Sequence, residues 1–155
     1  MMFRRGQYVD KDMPDHTLII AEAGVNHNGD LERAYRLIKA AAIAGVDLVK
    51  FQTFSAERLA TRNAPTAEYQ AINLDKITTQ SAMLKRLELS PKMHQLLIEC
   101  CQKHRVSFFS SAFDIIGLDY LASLGANRFK IPSGEITNLP YLRHVGAYGT
   151  DVILS

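Results

Sequence analysis

Apolar positions along this chain come in two rhythms. "TLIIAEAG" (17–24) is an almost unbroken apolar run and reads as a buried strand. "NHNGD" turns the chain. Asp30 then offers a side-chain cap for a helix running to about Ala44. Leu31, Ala34, Tyr35, Ile38, Ala41 and Ala42 fall on one face of that helix, and Gly45 stands where a helix stops. "VDLVKFQT" (46–53) is a second strand. A long polar stretch follows, 54–80. A run that long without structure of its own is typically a lid or binding loop in a compact domain.

The same alternation then resumes. Ser90 caps a helix with Pro91 at its first position, and Met93, Leu96, Leu97, Cys100 and Cys101 form its expected buried face. "VSFFSSA" (106–112) is a third strand. Asp114 caps a helix that closes at Gly125, and "RFKIPS" (128–133) is a fourth strand. A short helix from about Leu139 to Tyr148 leads to a fifth strand, "DVILS" (151–155). Strands alternating with helices through short links specify a parallel sheet with right-handed crossovers. A doubly wound open sheet and a (β/α)8 barrel both satisfy the pattern. Neither G-x-G-x-x-G nor a P-loop follows any strand, which weighs against a nucleotide-binding open sheet.

Composition narrows the class. The 155 residues are 47% hydrophobic, enough for one globular core. A net charge of +2, from 18 basic and 16 acidic residues spread along the chain, marks no nucleic-acid surface. The first sixteen residues lack the apolar run of a signal peptide, and no stretch approaches a membrane span. The two cysteines are neighbours, without metal-ligand spacing and poorly placed to bridge, so a reduced, cytoplasmic protein is expected.

Polar residues gather at one end of each strand. Glu22 lies near the end of the first, Lys50 and Gln52 end the second, and Ser110 and Ser111 the third. Lys130, Ser133 and Glu135 end the fourth, and Ser155 the fifth. In a parallel barrel these ends meet on one face, where active sites are built. Two lysines, several hydroxyls and a helix N-terminus there make an anion site. Bland readings stand beside this. Lys50 can be a strand-end lysine reaching solvent, Glu22 can be its structural ion-pair partner, and Ser133–Gly134 can be only a turn. His27 reads as a loop histidine, since no partner residue has ligand spacing. The anion-site reading rests on the recurrence at equivalent points of successive units.

Four segments, "IIAEAGVNHNGD", "VKFQTF", "MLKRLELS" and "FKIPSGEITNLP", resemble the bacterial sialic acid synthases, including N-acetylneuraminate synthase and its legionaminate and pseudaminate relatives. The resemblance runs from about Leu18 to Ser155 and implies a (β/α)8 barrel of which this chain is about the first half. Residues 1–16 would be an N-terminal extension and 17–155 the barrel's N-terminal half. The barrel's C-terminal half and an antifreeze-like domain would be absent.

The implied reaction joins phosphoenolpyruvate to an N-acetylated sugar of the N-acetylmannosamine type, giving a nonulosonic acid and phosphate. By matching motifs, Lys50, Ser111, Lys130, Ser133 and Ser155 fall where the family binds phosphoenolpyruvate. Glu22 and Glu135 fall at the reacting carbons as catalytic residues, and Gln52 and Asn73 in the sugar site. A divalent metal, Mn2+ or Mg2+, is implied for the complete enzyme, with its ligands missing from this chain. A homo-oligomer, dimeric in the complete enzyme, and no nucleic-acid or membrane partner are also implied. Two alternatives remain: a Schiff-base aldolase on the same barrel, with a strand-end lysine forming an imine, and a non-catalytic half-barrel that associates with a partner chain.

Overall fold

The structure is a computed structural model that describes residues 16–59 and 79–155. Five strands form one sheet: β1 (Ile20–Gly24), β2 (Leu48–Thr53), β3 (Ser107–Ala112), β4 (Arg128–Ile131) and β5 (Asp151–Leu154). Their spatial order is β1-β2-β3-β4-β5, and every pairing is parallel. A doubly wound sheet must reverse its strand order at a switch point. Here each new strand adds to the same edge, which is how a (β/α)8 barrel is wound.

The connecting helices are α1 (Leu31–Ile43), α2 (Ala56–Leu59), α3 (Gln80–Leu87), α4 (Pro91–Lys103), α5 (Ile115–Ser123) and α6 (Leu139–Ala147). The three caps expected from sequence form. Asp30, Ser90 and Asp114 accept the backbone N–H groups of Arg33, Met93 and Gly117, and Asn138 caps α6 through Tyr141. Each satisfies a donor the helix start leaves unpaired. Gly45 and Gly125 follow the ends of α1 and α5 at φ 78° and 88°, a conformation that favours glycine.

One face of the sheet packs on the helices. Val49, Phe51, Phe129 and Ile131, alternate residues of β2 and β4, are sealed there with Ala34, Ile38, Leu97, Leu118 and Tyr141. On β5 the corresponding Val152 and Leu154 are 43% and 61% exposed.

Several boundaries differ from the sequence reading. The first strand begins at Ile20 rather than residue 17. Ile19 instead gives its backbone N–H to the Asp47 carboxylate, 2.7 Å away. The fourth stops at Ile131, because Pro132 has no N–H to continue the ladder and Ser133–Glu135 tighten into a 3-10 turn. The buried face of α4 is His94, Leu97, Ile98 and Cys101. Met93, Leu96 and Cys100 are only half-buried, since the stripe is rotated by about one position. The stretch 54–80 is not wholly irregular, because α2 lies within it and α3 begins at its end. Residue Asn73 and the extension up to residue 15 lie outside the described residues. Both cysteines are free thiols, and burial raises the pKa of each.

Candidate active site

The register of the parallel ladder brings the polar residues together. Glu22 is paired with Lys50, Gln52 with Ser111, and Ser111 with Lys130. Paired residues in neighbouring strands project to the same side of a sheet. Glu22, Lys50, Gln52, Ser111 and Lys130 therefore share the face opposite the helices, at the C-terminal ends of three adjoining strands and near the end of β1. Sequence alternation alone could only place Lys50 with Gln52.

Lys50 Nζ lies 2.5 Å from Glu22 Oε2, with the lysine side chain 14% exposed and the carboxylate 53%. The ion pair weighed as a bland reading thus forms, and it forms within the cluster. Lys130 is different. Its pKa is lowered, first by burial and then by the Lys50 ammonium, with Glu22 pulling the other way. Among the described residues no carboxylate lies within ion-pair distance of it. Two cations and one carboxylate within mutual electrostatic reach leave one positive charge for an anion to balance.

Gly24 makes room for the carboxylate. At φ 51°, a side chain there would place its Cβ 2.9 Å from Glu22 Oε1 and 3.8 Å from Gln52 Nε2. The register slips by one residue between Glu22 and Gly24, the local irregularity that lets Glu22 and Gln52 converge.

Ser133 and Glu135 sit on the 3-10 turn just beyond β4. The Glu135 carboxylate accepts a 2.7 Å hydrogen bond from Asn138 Nδ2, and its charge adds to burial in raising the pKa of the Tyr141 hydroxyl. Glu135 is thus held at the start of α6, beside the rim and outside the Glu22–Lys50–Lys130 cluster. Ser155 lies one residue past β5, and its N–H reaches the Ile131 carbonyl at 3.4 Å, prolonging the ladder.

Two features escaped sequence reasoning. Tyr141, fully buried, donates its hydroxyl to the Ala112 carbonyl at 2.8 Å, tying α6 to the end of β3. Beneath the sheet, Thr53, Ser110 and His94 form a buried polar relay. His94 precedes Leu97 by three residues and Cys101 by seven, so helical periodicity was the available signal. His27 is also fully buried. Its Nδ1 accepts the Gly29 N–H at 3.0 Å, leaving Nε2 without a partner among the described residues. Among those residues no group of three His, Cys, Asp or Glu could hold a metal ion. None of their helices is long and apolar enough to cross a membrane.

The chain is also similar to proteins already known. A model described as the NeuB family matches residues 37–155. The chain is 51% identical over 137 residues to the N,N'-diacetyllegionaminic acid synthase of Legionella pneumophila, covering 88% of this chain and 38% of that protein. The corresponding synthase of Campylobacter jejuni is 48% identical over 139 residues, with 90% and 42% covered. Among solved structures, the N-acetylneuraminic acid synthetase of Leptospira borgpetersenii, determined in complex with citrate, superposes with a TM-score of 0.71 at 36% identity. That match covers 88% of this chain and 43% of the other. The chain therefore spans about two fifths of the length of these relatives.

Proposed function

On the premise that this chain belongs to the NeuB family, we propose that the complete protein condenses phosphoenolpyruvate with an N-acetylated amino sugar to give a nonulosonic acid and phosphate. The observation that carries this is Lys130, a half-buried ammonium beside Lys50 with no ion-pair partner among the described residues. Phosphoenolpyruvate is a small trianion that matches such a face. Lys50, Lys130 and the Ser111 hydroxyl grip its phosphate and carboxylate, with Ser133 and Ser155 closing the rim.

Carbon 3 attacks the open-chain aldehyde of the sugar, forming the new C–C bond. Water adds at carbon 2, giving one proton to the former aldehyde oxygen, and the bond from carbon 2 to the phosphate-bearing oxygen breaks, so that inorganic phosphate leaves with the second proton and a 2-keto acid remains. Glu135, beside the rim, moves the proton of the attacking water. Glu22 holds Lys50 in orientation, and Gln52 faces the sugar, a role the family resemblance also assigns to Asn73. The described residues offer no seat for a divalent metal, so a metal that activates the aldehyde would take its ligands from elsewhere in the complete protein. The reaction is one of soluble intermediates in the cytoplasm.

The test is phosphate release from phosphoenolpyruvate by the full-length protein against a panel of N-acetylated amino sugars. Release that requires both substrates is expected, and Lys130→Met should abolish it. Release independent of any acceptor, or none with every acceptor, rejects the reading.

One observation supports the Schiff-base alternative. A lysine with a lowered pKa beside a second cation is how amines are activated for imine formation. Borohydride reduction in the presence of pyruvate separates the two. The synthase reading expects no covalent adduct on Lys130.

A further inference from the structure

We propose that His94 is a positioning residue for the anion-binding rim, acting through Thr53 and Ser110 on the strand ends that carry Gln52 and Ser111. This rests on reading that rim as the phosphoenolpyruvate site. His94, Thr53 and Ser110 are 1%, 7% and 4% exposed, on the helix side of the sheet.

The hydrogen bonds have one consistent direction. A carbonyl can only accept, so His94 Nδ1 donates to the Ser90 carbonyl at 3.0 Å. In the neutral ring Nε2 is then an acceptor, and the Thr53 hydroxyl donates to it across 2.9 Å. The Thr53 oxygen in turn accepts from the Ser110 hydroxyl at 2.7 Å. Burial lowers the pKa of His94, which keeps the ring neutral and the relay in this sense. The ring is clamped edge-on by Phe108 and Tyr120, with centroids 6.1 and 5.1 Å away. At its far end the relay is fixed to the first turn of α4, where the Ser90 side chain also caps Met93.

The relay's place along the strands points to its purpose. The helix-facing positions below it are apolar: Val49 and Phe51 on β2, and Phe108 on β3. Polar groups enter only near the strand ends, where Ser110 lies level with Phe51 and Thr53 one layer further on, level with Ala112; Thr53 follows Gln52 and Ser110 precedes Ser111. Buried polar groups stabilise no more than apolar groups of the same shape, but they are directional. Neighbouring residues in a strand point to opposite faces. Pinning Thr53 to Ser110 therefore pins the twist from which Gln52 and Ser111 leave the other face. Thr53 is paired with Ala112 in register, so its bond to Ser110 runs diagonally and locks the two strands against sliding. The Tyr141 bond to the Ala112 carbonyl holds the other side of Ser111.

The experiment uses the full-length protein, with phosphoenolpyruvate as the titrant in calorimetry and nitrogen-labelled glutamine and histidine side chains for magnetic resonance. In the wild type, His94 carries its proton on Nδ1. Thr53→Val keeps the shape and deletes the donor. It should shift the Gln52 side-chain amide resonance and weaken phosphoenolpyruvate binding about tenfold, since small misplacements of positioning groups are costly. Thr53→Ser should restore both. Ile38→Val, a mild truncation elsewhere in the core, should change neither by as much as twofold.

An unmoved Gln52 resonance in Thr53→Val, or an equal shift in Ile38→Val, overturns the proposal. If the wild type binds no phosphoenolpyruvate, the functional reading fails on its own. The Gln52 resonance then still decides whether the relay from His94 through Thr53 positions the strand ends.

Discussion

At the scale of single residues, Lys130 and Gly24 carry most of the meaning. An ammonium that burial and Lys50 already disfavour is poised to gain from an anion. Lys130→Met should weaken phosphoenolpyruvate binding on the order of 30-fold or more, as losing one partner of a desolvated charge contact does. A titration by calorimetry measures it. Because only the charged form attracts an anion, affinity in the wild type should fall as pH rises through the lysine's own value. That inflection lies below the ordinary lysine range of about 10.4. Gly24→Ala forces a side chain into left-handed backbone, costing about 1–2 kcal/mol, and pushes its Cβ against the Glu22 carboxylate. A lower melting temperature together with weaker binding is expected; a loss of stability alone would detach Gly24 from the site. Lysines and hydroxyls at strand ends were legible from sequence, because charge is costly in a strand unless it is used. The Glu22–Lys50 contact was not, since alternation assigns faces within a strand and says nothing of register between strands.

At the scale of elements, local chemistry decided the helices well. Asp30, Ser90 and Asp114 were identifiable as caps because their short side chains compete for the same backbone N–H groups anywhere they precede an apolar stripe. Asp114 does more than cap. One oxygen takes the Gly117 N–H at 2.6 Å, and the other takes Arg58 Nε at 2.7 Å, joining α2 to the start of α5. Asp114→Ala should therefore cost more than the ~1 kcal/mol typical of a lost cap, and more than Ser90→Ala, in urea unfolding at neutral pH. Equal losses would leave the Arg58 contact energetically silent. Helix α3 escaped the sequence reading for a physical reason: it is only eight residues long, begins at the end of the polar stretch and seals no residue fully in the core. What fixes it is contact made elsewhere. Gly29 packs so tightly on the end of α3 that a Cβ would come within 2.2 Å of the Arg86 carbonyl oxygen. Gly29→Ala should lower the melting temperature more than Gly24→Ala, whose clash is with a movable side chain.

At the scale of the whole molecule, stability should depend on acid through its buried histidines. His94 and His27 both have lowered pKa values, His94 by desolvation and His27 by desolvation and then Arg33. In the unfolded chain each takes up a proton near the ordinary value of about 6.5; in the fold neither does so until lower pH. The unfolded state thus binds more protons in that window. Stability is complete above that window and declines as pH falls through it. Melting curves from about pH 7.5 to about pH 5.5 should show the decline, and His94→Gln should make it shallower even if that variant melts lower throughout. Sequence by itself determined the strand–helix alternation, most caps and the residue types at the strand ends. These follow from periodicity and from short-range hydrogen bonding, which act within a few residues. Only the tertiary structure decided between barrel winding and a doubly wound sheet, because strand order is a choice between distant segments of equal local pattern. It alone also set Glu22 against Lys50, left Lys130 without a carboxylate among the described residues, and threaded the His94 relay under β2 and β3. Those contacts depend on register and burial, and both arise only when the strands lie side by side.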